Sequence, residues 1–218
     1  MSATRVRVEA KGLSHRYGHR RTHIHELAFA FDGPGAVAVT GPNGSGKSTL
    51  LRIMAGLLRA SAGTFELQVE GVSLKPGARR LALGLATPEL SFYEEFSATE
   101  NLVFAAQAHG LAAPAAAAAA ALERVGLSPR ANDLVAAYSS GMKQRLRLAF
   151  AMLHEPAVLL LDEPGSHLDD AGRAVVRSVV EHQASRGLVF IATNDPLERA
   201  LAPREVSLDP AAREVTHA

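Results

Sequence analysis

One nine-residue run, residues 41–49, constrains the fold of this chain more than any other feature. It reads Gly-Pro-Asn-Gly-Ser-Gly-Lys-Ser-Thr and fits the pattern G-x-x-x-x-G-K-[ST] in full. The apolar, β-branched residues 36–40 before it predict a buried strand, and apolar residues recur at helical spacing from 50 to 58 after it. A glycine-rich loop between a strand and a helix is the context in which this pattern binds phosphate.

The chemistry of this phosphate loop follows from its residue types. Its glycines let the backbone curl and turn successive N–H groups around an anion, and the helix N-terminus adds partial positive charge. Lys47 is expected to reach the β- and γ-phosphates, and the Ser48 hydroxyl to bind Mg²⁺. A glycine-rich turn with a chance lysine would need all these features to coincide. The nucleotide-binding candidates are Gly41, Pro42, Asn43, Gly44, Ser45, Gly46, Lys47, Ser48 and Thr49.

Composition narrows the class of protein. A length of 218 residues with 47% hydrophobic residues suits one large domain or a core with a subdomain. The formal charge of +1 gives no electrostatic reason to expect a nucleic-acid partner. The absence of cysteine excludes disulfides and thiolate metal sites. We expect no signal peptide and no membrane span, because no apolar run approaches about 20 residues.

Hydrophobic patterning predicts an α/β fold. We expect an exposed strand at 5–9 and further strands at 27–31, 36–40, 64–69, 81–86, 158–161 and 188–193. Helices are expected at 99–108, 141–153, 170–185 and, as an alanine-rich solvated helix, at 115–125. This order indicates a nucleotide-binding core with a mainly parallel sheet, an antiparallel β part near the N-terminus and an inserted α-helical subdomain. Within one domain spanning 1–218, the core would comprise 1–87 and 154–218, and the helical subdomain 88–153.

Two carboxylates follow the most apolar predicted strand. Asp162 and Glu163 come directly after Val-Leu-Leu-Leu, and ligands of open α/β sheets bind at the carboxyl ends of strands. Asp162 is therefore a candidate metal residue, acting through water, and Glu163 a candidate base that polarises an attacking water. Asp-Glu-Pro is also an ordinary turn or helix start. The complete phosphate loop upstream favours the catalytic interpretation.

A third segment precedes that strand and carries a family resemblance. Residues 138–145 read Tyr-Ser-Ser-Gly-Met-Lys-Gln-Arg, and a Ser-Ser-Gly turn opening a helix presents donors to an anion. The segment resembles the signature of the ATP-binding-cassette family, Leu-Ser-Gly-Gly-Gln followed by a polar pair and Arg, with matches at Ser139, Gly141, Gln144 and Arg145. The alternative is a plain helix N-cap at Ser139 or Ser140. The order and spacing of the three motifs favour the family interpretation.

The resemblance implies a site shared between two chains. In the family, two ATPase subunits enclose ATP head to tail, so the phosphate loop of one would face Ser139 and Gly141 of the other. Tyr17 resembles the residue that stacks on adenine, and Asp169 lies in a segment similar to the family's D-loop. Residues 92–102 are similar to a stretch of the ATPase subunit of the cytochrome-c-maturation haem exporter.

Two positions depart from the family pattern. Pro88 occupies the place of a metal-binding glutamine, although Glu89 beside it can offer an oxygen if the loop is shifted by one residue. Asn194 replaces the switch histidine; its amide can donate a hydrogen bond to a γ-phosphate but cannot carry charge. Asn194 can alternatively cap a helix that begins near Pro196. Both departures bear on the hydrolysis rate more than on nucleotide binding.

The sequence thus predicts an ATP-hydrolysing subunit of a membrane transporter, with ATP and Mg²⁺ as cofactors. The expected partners are a second copy of the chain or a homologous ATPase subunit, and an integral-membrane permease. We expect the permease to contact a patch near Phe92, Tyr93 and Phe96; the alternative is that these residues pack in the core of the helical subdomain. These partners place the chain in the cytoplasm, peripheral on the inner face of the membrane, in a system that exports. The alternatives are a non-transport switch ATPase, a slow-turnover ATP-binding module and, less well supported by the motifs, a phosphate-loop kinase.

Overall fold

Five parallel strands form the central layer of the molecule. The computed structural model describes residues 3–18 and 21–209, and the side chains of 21–23 are not included in that description. The strands of this part are β1 (Val6–Tyr17), β2 (Arg21–Asp32), β3 (Gly35–Thr40), β4 (Ala62–Val69), β5 (Val72–Ser73), β6 (Leu83–Ala86), β7 (Val158–Asp162), β8 (Leu188–Ala192) and β9 (Arg204–Ser207). The helices are α1 (Lys47–Met54), α2 (Pro76–Ala82), α3 (Ala98–Ala108), α4 (Pro114–Arg124), α5 (Ser140–Met152), α6 (Asp170–Ala184) and α7 (Pro196–Arg199).

The strands form two sheets. The order β6-β7-β8-β3-β9 makes a five-stranded sheet in which every pairing is parallel, and the order β2-β1-β4-β5 makes an antiparallel sheet. Strands β7 and β8 are buried at every position, as expected for central strands covered on both faces. The predicted fold class, a mainly parallel sheet with an antiparallel part near the N-terminus and an inserted helical region, is confirmed.

Alternation along the central strands separates two hydrophobic cores. In the first core, Leu159 and Leu161 of β7 pack with α3, α4, α5 and α6 on one face of the sheet. In the second core, Val158 and Leu160 point to the other face and pack with α1 and the antiparallel sheet. The helices α3, α4 and α5 lie between β6 and β7 in the chain. The subdomain boundaries at 88 and 153 stay a prediction.

Three expected elements differ from the structure. The first strand is not exposed as predicted: it runs to Tyr17, and Val6, Val8 and Ala10 are buried because one of its faces covers the second core. Within the expected strand 81–86, residues 81 and 82 end α2 and only Leu83–Ala86 pairs with β7. In α4 the alanines are only partly solvated, since Ala118 and Ala121 are buried against the first core.

Register brings the carboxyl ends of three strands together. Ala192 of β8 pairs with Asp162 of β7 on one side and with Val39 of β3 on the other. The phosphate loop follows β3, Glu163 follows β7, and Asn194 follows β8 within two residues. The parallel sheet therefore collects the three segments at one edge. Among the helices of 3–18 and 21–209, none combines the length and apolar character needed to cross a bilayer.

Candidate nucleotide-binding site

The phosphate loop curls around its own lysine. Gly41 and Gly46 have φ angles of 140° and 103°, which side-chain-bearing residues rarely adopt, and a Cβ on Gly41 would lie 2.7 Å from Ser45 Oγ. Lys47 Nζ donates hydrogen bonds to the carbonyl oxygens of Gly41 at 2.8 Å and Pro42 at 3.3 Å. Ser45 N–H also donates to Pro42 O, at 3.0 Å. The loop thus forms a closed turn ahead of the first amides of α1.

Lys47 is a buried cation that faces two carboxylates. Its exposed fraction is 7%. Burial lowers the pKa of Lys47, while the charges of Glu163 and Asp162 oppose that change. Within the described residues no carboxylate oxygen lies within 4 Å of its ammonium group. The ammonium is held only by neutral carbonyls, so an anionic ligand can become its charge partner.

Asp162 and Ser48 form a pair of oxygens suited to a hard cation. Asp162 is 2% exposed, and its Oδ1 is buried with no hydrogen-bond partner in the described part of the chain. Burial raises the pKa of Asp162, and a hydrogen bond with the Ser48 side chain opposes that rise. A buried carboxylate oxygen without a donor is costly unless a ligand satisfies it. Oxygen ligands are what Mg²⁺ prefers, so these two residues fit the metal role predicted for them.

Glu163 stands at the rim of the site in a strained backbone conformation. Its φ of 47° lies in the left-handed region, which is uncommon for a residue other than glycine, asparagine or aspartate. Glu163 N–H donates to Ala192 O of β8 at 2.9 Å, and Ser166 Oγ lies 3.4 Å from Glu163 Oε2. Glu163 is an exposed residue. It is therefore accessible to a water molecule, as the role of base requires.

Asn194 contacts the phosphate loop directly. Its Nδ2 donates to Asn43 Oδ1 at 2.6 Å. The cap of α7 is the next residue, since Asp195 Oδ1 accepts from Leu197 N–H at 2.8 Å, and the alternative role of Asn194 as that cap is wrong. The amide thus lies beside the loop expected to hold phosphate, although its catalytic role stays a prediction.

Glu89 is engaged elsewhere in the structure. It forms an exposed ion pair with Arg52, which follows Lys47 on α1. Burial alone would raise the pKa of Glu89, but hydrogen bonds and the charge of Arg52 leave it lowered. Its carboxylate is therefore ionised and partnered by a cation. A metal-binding role for Glu89 requires this pair to open and stays a prediction.

The remaining candidates occupy the ends of elements. Tyr17, at the end of β1, exposes 44% of its surface and its Oη lies 3.5 Å from Thr49 Oγ1 of the phosphate loop. Ser139 Oγ accepts from Met142 N–H at 3.2 Å and so caps α5, as its alternative interpretation expected. Asp169 caps α6 through Gly172 N–H at 2.8 Å. Across the described ranges, no hydrogen bond joins Ser139 or Asp169 to the phosphate loop of the same chain.

Sequence reasoning missed one buried acid near the site. Glu198 of α7 is 6% exposed, and its Oε1 accepts a 2.6 Å hydrogen bond from Gly165 N–H, in the loop after Glu163. Burial raises its pKa, against hydrogen bonds from Thr193 and Gly165. It ties the segment of Asn194 to the loop after β7. In the sequence Glu198 resembles any solvated residue of a charged turn, so no local pattern distinguishes it.

Known proteins resemble this chain in sequence and in fold. The ABC transporter family profile matches residues 24–166. A solved ATP-binding subunit of an ABC transporter superposes with a TM-score of 0.79 at 26% identity, covering 92% of this chain and 85% of that one. A bacterial Atm1-family ABC exporter with ATP bound shares the fold, with a TM-score of 0.78 at 24% identity over 96% of this chain and 38% of that one.

Curated relatives carry transport and resistance names. The daunorubicin resistance ATP-binding protein DrrA3 of Streptomyces coeruleorubidus is 37% identical over 92% of this chain and 63% of its own length. The Nod factor export ATP-binding protein I of Burkholderia orbicola is 32% identical over 88% of this chain and 64% of its own. The chain thus spans less than two thirds of these relatives. The likeness to the haem exporter subunit stays a prediction, but the chain belongs to the ABC transporter family of ATP-binding proteins.

Proposed function

We propose that the chain binds and hydrolyses ATP as the nucleotide-binding subunit of a transporter. Two buried groups carry this proposal: Oδ1 of Asp162, beside Ser48, and the ammonium of Lys47. Among residues 3–18 and 21–209, the first has no hydrogen-bond partner and the second has no carboxylate partner. Ser48 and Asp162 would hold Mg²⁺, which when bound neutralises phosphate charge. An anionic, metal-bound triphosphate satisfies both buried groups at once.

Each residue then has a distinct role. Lys47 binds the β- and γ-phosphates, and these contacts replace the hydrogen bonds that it now donates to the carbonyl oxygens of Gly41 and Pro42. Glu163 orients an attacking water and accepts its proton. Asn194 donates its amide to the γ-phosphate after leaving Asn43, and Tyr17 stacks on adenine.

A single chain supplies only part of this site. Ser139, Gly141 and Asp169 make local contacts within their own chain. We propose that in a head-to-tail dimer they contact the γ-phosphate of the ATP that is bound by a second copy or by a homologous subunit. The N-terminus of α5 would then present its free amides to the partner's nucleotide. Association would thus depend on ATP.

We propose that an exposed aromatic patch contacts the membrane permease. Tyr93, Phe96 and Phe104 expose 53%, 41% and 56% of their surface, and the ring of Tyr93 lies 5.4 Å from Phe96 and 6.1 Å from Phe104. Phe92, in contrast, packs against Phe150 and the first core. Contiguous exposed aromatic surface is typical of protein interfaces. With the export and resistance names of the relatives, it supports a peripheral exporter subunit on the cytoplasmic face of the membrane.

Replacing Lys47 tests the proposal most simply. Lys47→Ala removes the cation facing the phosphates, so affinity for a fluorescent ATP analogue should fall well beyond a few-fold, as expected for losing a buried charge pair. Lys11→Ala, which changes an exposed lysine paired with Glu9 outside the site, is the matched control. Equal affinities for Lys47→Ala and Lys11→Ala would refute the phosphate-loop assignment.

A second candidate function is a module that binds ATP and turns over slowly. Two observations favour it: Glu89 is occupied by Arg52, and Asn194 offers an amide where the family has histidine. Losing one strong contact to a transition state costs about 3 kcal/mol, or roughly a hundredfold in rate. Steady-state phosphate release by the wild-type protein with its permease separates the two candidates.

A further inference from the structure

The segment at residues 88–96 carries two rings of the aromatic patch and is firmly attached to the helical region. Asn101 of α3 accepts from Tyr93 N–H at 2.9 Å and donates to Tyr93 O at 3.0 Å. Lys143 of α5 forms an ion pair with Glu94 at 2.5 Å. These contacts fix the backbone of Tyr93 to α3 and the side chain of Glu94 to α5.

Arg147 connects this segment to the interior of α5. Its Nε donates to Leu90 O at 2.9 Å, and its Nη1 donates to Gln144 Oε1 at 2.9 Å. Burial lowers the pKa of Arg147, while the charge of Glu89 opposes that change. The planar guanidinium fixes two donors in different directions, so it holds Leu90 and Gln144 in a defined relation.

Gln144 extends this connection to Glu163 and Pro164, which follow β7. It is 4% exposed, and its Nε2 donates to Pro164 O at 3.0 Å and to Glu163 O at 3.4 Å. Glu163 is the residue whose φ of 47° must be stabilised by its surroundings. Gln144 holds its carbonyl side, and Ala192 O holds its N–H. The position of the Glu163 carboxylate thus depends on Gln144.

We propose that Arg147 and Gln144 are positioning residues that link segment 88–96 to Glu163 and so hold its carboxylate in place for hydrolysis. The inference rests on the proposed function. Pro88, which has no polar side chain, leaves the family's usual position without a side-chain link to the site. The hydrogen bonds from Leu90 O through Arg147 and Gln144 to Pro164 O supply a continuous link by another route.

Arg147→Met tests this link against a matched control. The methionine keeps much of the stem volume but donates nothing to Leu90 or Gln144. Arg79→Met is the control, because Arg79 is also partly buried, has a pKa lowered by burial and donates to a backbone carbonyl, Phe65 O, at 3.0 Å. Arg147→Lys serves if the methionine variant folds poorly, since it keeps the charge but loses the two fixed donors.

Two measurements are made on the full chain. In Arg147→Met, kcat for ATP hydrolysis should fall about tenfold or more while KM changes less than about twofold, because a misplaced base leaves binding intact. Amide hydrogen exchange at residues 163–169 should rise in Arg147→Met, with exchange in β3 and β8 unchanged. In Arg79→Met both quantities should match the wild type.

The outcomes separate the inference from the proposed function. If both kcat and exchange at 163–169 in Arg147→Met match those of Arg79→Met, the link is refuted although the chain is an ATPase. If the wild type releases no phosphate, the proposed hydrolysis fails, and the exchange measurement alone decides whether the link exists. Unchanged exchange at 163–169 overturns it in that case too.

Discussion

The proposed role of Asn194 is to donate a hydrogen bond to the γ-phosphate of ATP. Asn194→Ala removes the donor and should lower kcat about tenfold or more, as for lost transition-state donors. ADP affinity should change little because ADP lacks the γ-phosphate. Asn194→His should preserve or raise kcat. Steady-state phosphate release and ADP titration measure both. Since Asp195 caps α7, the melting temperature should hold steady in Asn194→Ala, and an unchanged kcat there would refute the catalytic role.

A partly buried histidine, His154, should make stability depend on pH. His154 Nε2 must carry hydrogen to donate to Leu83 O at 3.2 Å, and its Nδ1 is buried without a partner in the described part of the chain. Burial, with repulsion from the stacked His109 ring at 4.2 Å, lowers the pKa of His154 from 6.5 to about 4. The folded state therefore resists the second proton, which the unfolded state takes up readily.

The sign of this effect follows from proton binding. Between pH 6.5 and about 4 the unfolded chain binds more protons at His154, so the contribution to stability is complete above pH 6.5 and is lost as pH falls. From about pH 7.5 to about pH 5, the free energy of unfolding should drop by roughly 2 kcal/mol from this residue. His154→Gln keeps a donor for Leu83 O without titrating. Urea unfolding curves should show a smaller acid loss in the variant; parallel losses would contradict the assignment.

At the residue scale, the sequence identifies residues that belong to local motifs, but not residues whose partners are distant in the chain. The phosphate loop, Asp162 and Glu163 are recognisable because their roles depend on residue type and short spacing. Glu198 and Arg147 are not, because their partners Gly165 and Leu90 are brought near by the fold. For Arg147, its position three residues after Gln144 indicates only that the two share a helix face.

At the element scale, two substitutions at the N-terminus of α5 distinguish a structural role of Ser139 from a functional one. Ser139→Ala should cost about 1 kcal/mol of stability because the cap is lost. Ser139→Asp should retain the cap, since aspartate caps as well as serine, yet bring negative charge toward a partner's ATP. We therefore expect near-normal melting but lost ATP-dependent association in Ser139→Asp. Association equal to that of the wild type would exclude Ser139 from the shared site.

The same scale shows which elements a sequence can predict. Strands β3, β7 and β8 were predicted nearly to the residue because central parallel strands are apolar on both faces. Strand β9 was missed because it lies at the edge of the sheet and carries Arg204 and Glu205. The helix after the phosphate loop ends at Met54, before the predicted residues 57 and 58, because Gly56 adopts a φ of 71°.

At the scale of the whole molecule, the order of motifs predicted the architecture. Alternating strands and helices indicate a parallel sheet, whose carboxyl edge collects segments that are far apart in the chain. Sequence patterning does not show that the antiparallel sheet covers one face, because the alternating stretch at residues 5–9 includes only the beginning of β1. The second half of each proposed site lies outside a single chain. The proposed function therefore requires two chains to assemble around ATP.

Light scattering of the Glu163→Gln variant measures this assembly. The substitution keeps the shape of the side chain but removes the base, so bound ATP should persist and hold two chains together. With Mg-ATP, the scattering mass should approach twice that of the chain without nucleotide, and adding Lys47→Ala should abolish the increase because ATP is no longer held. We therefore expect a dimer that forms only with nucleotide. A strict monomer at high protein concentration, with ATP demonstrably bound to Glu163→Gln, would contradict it.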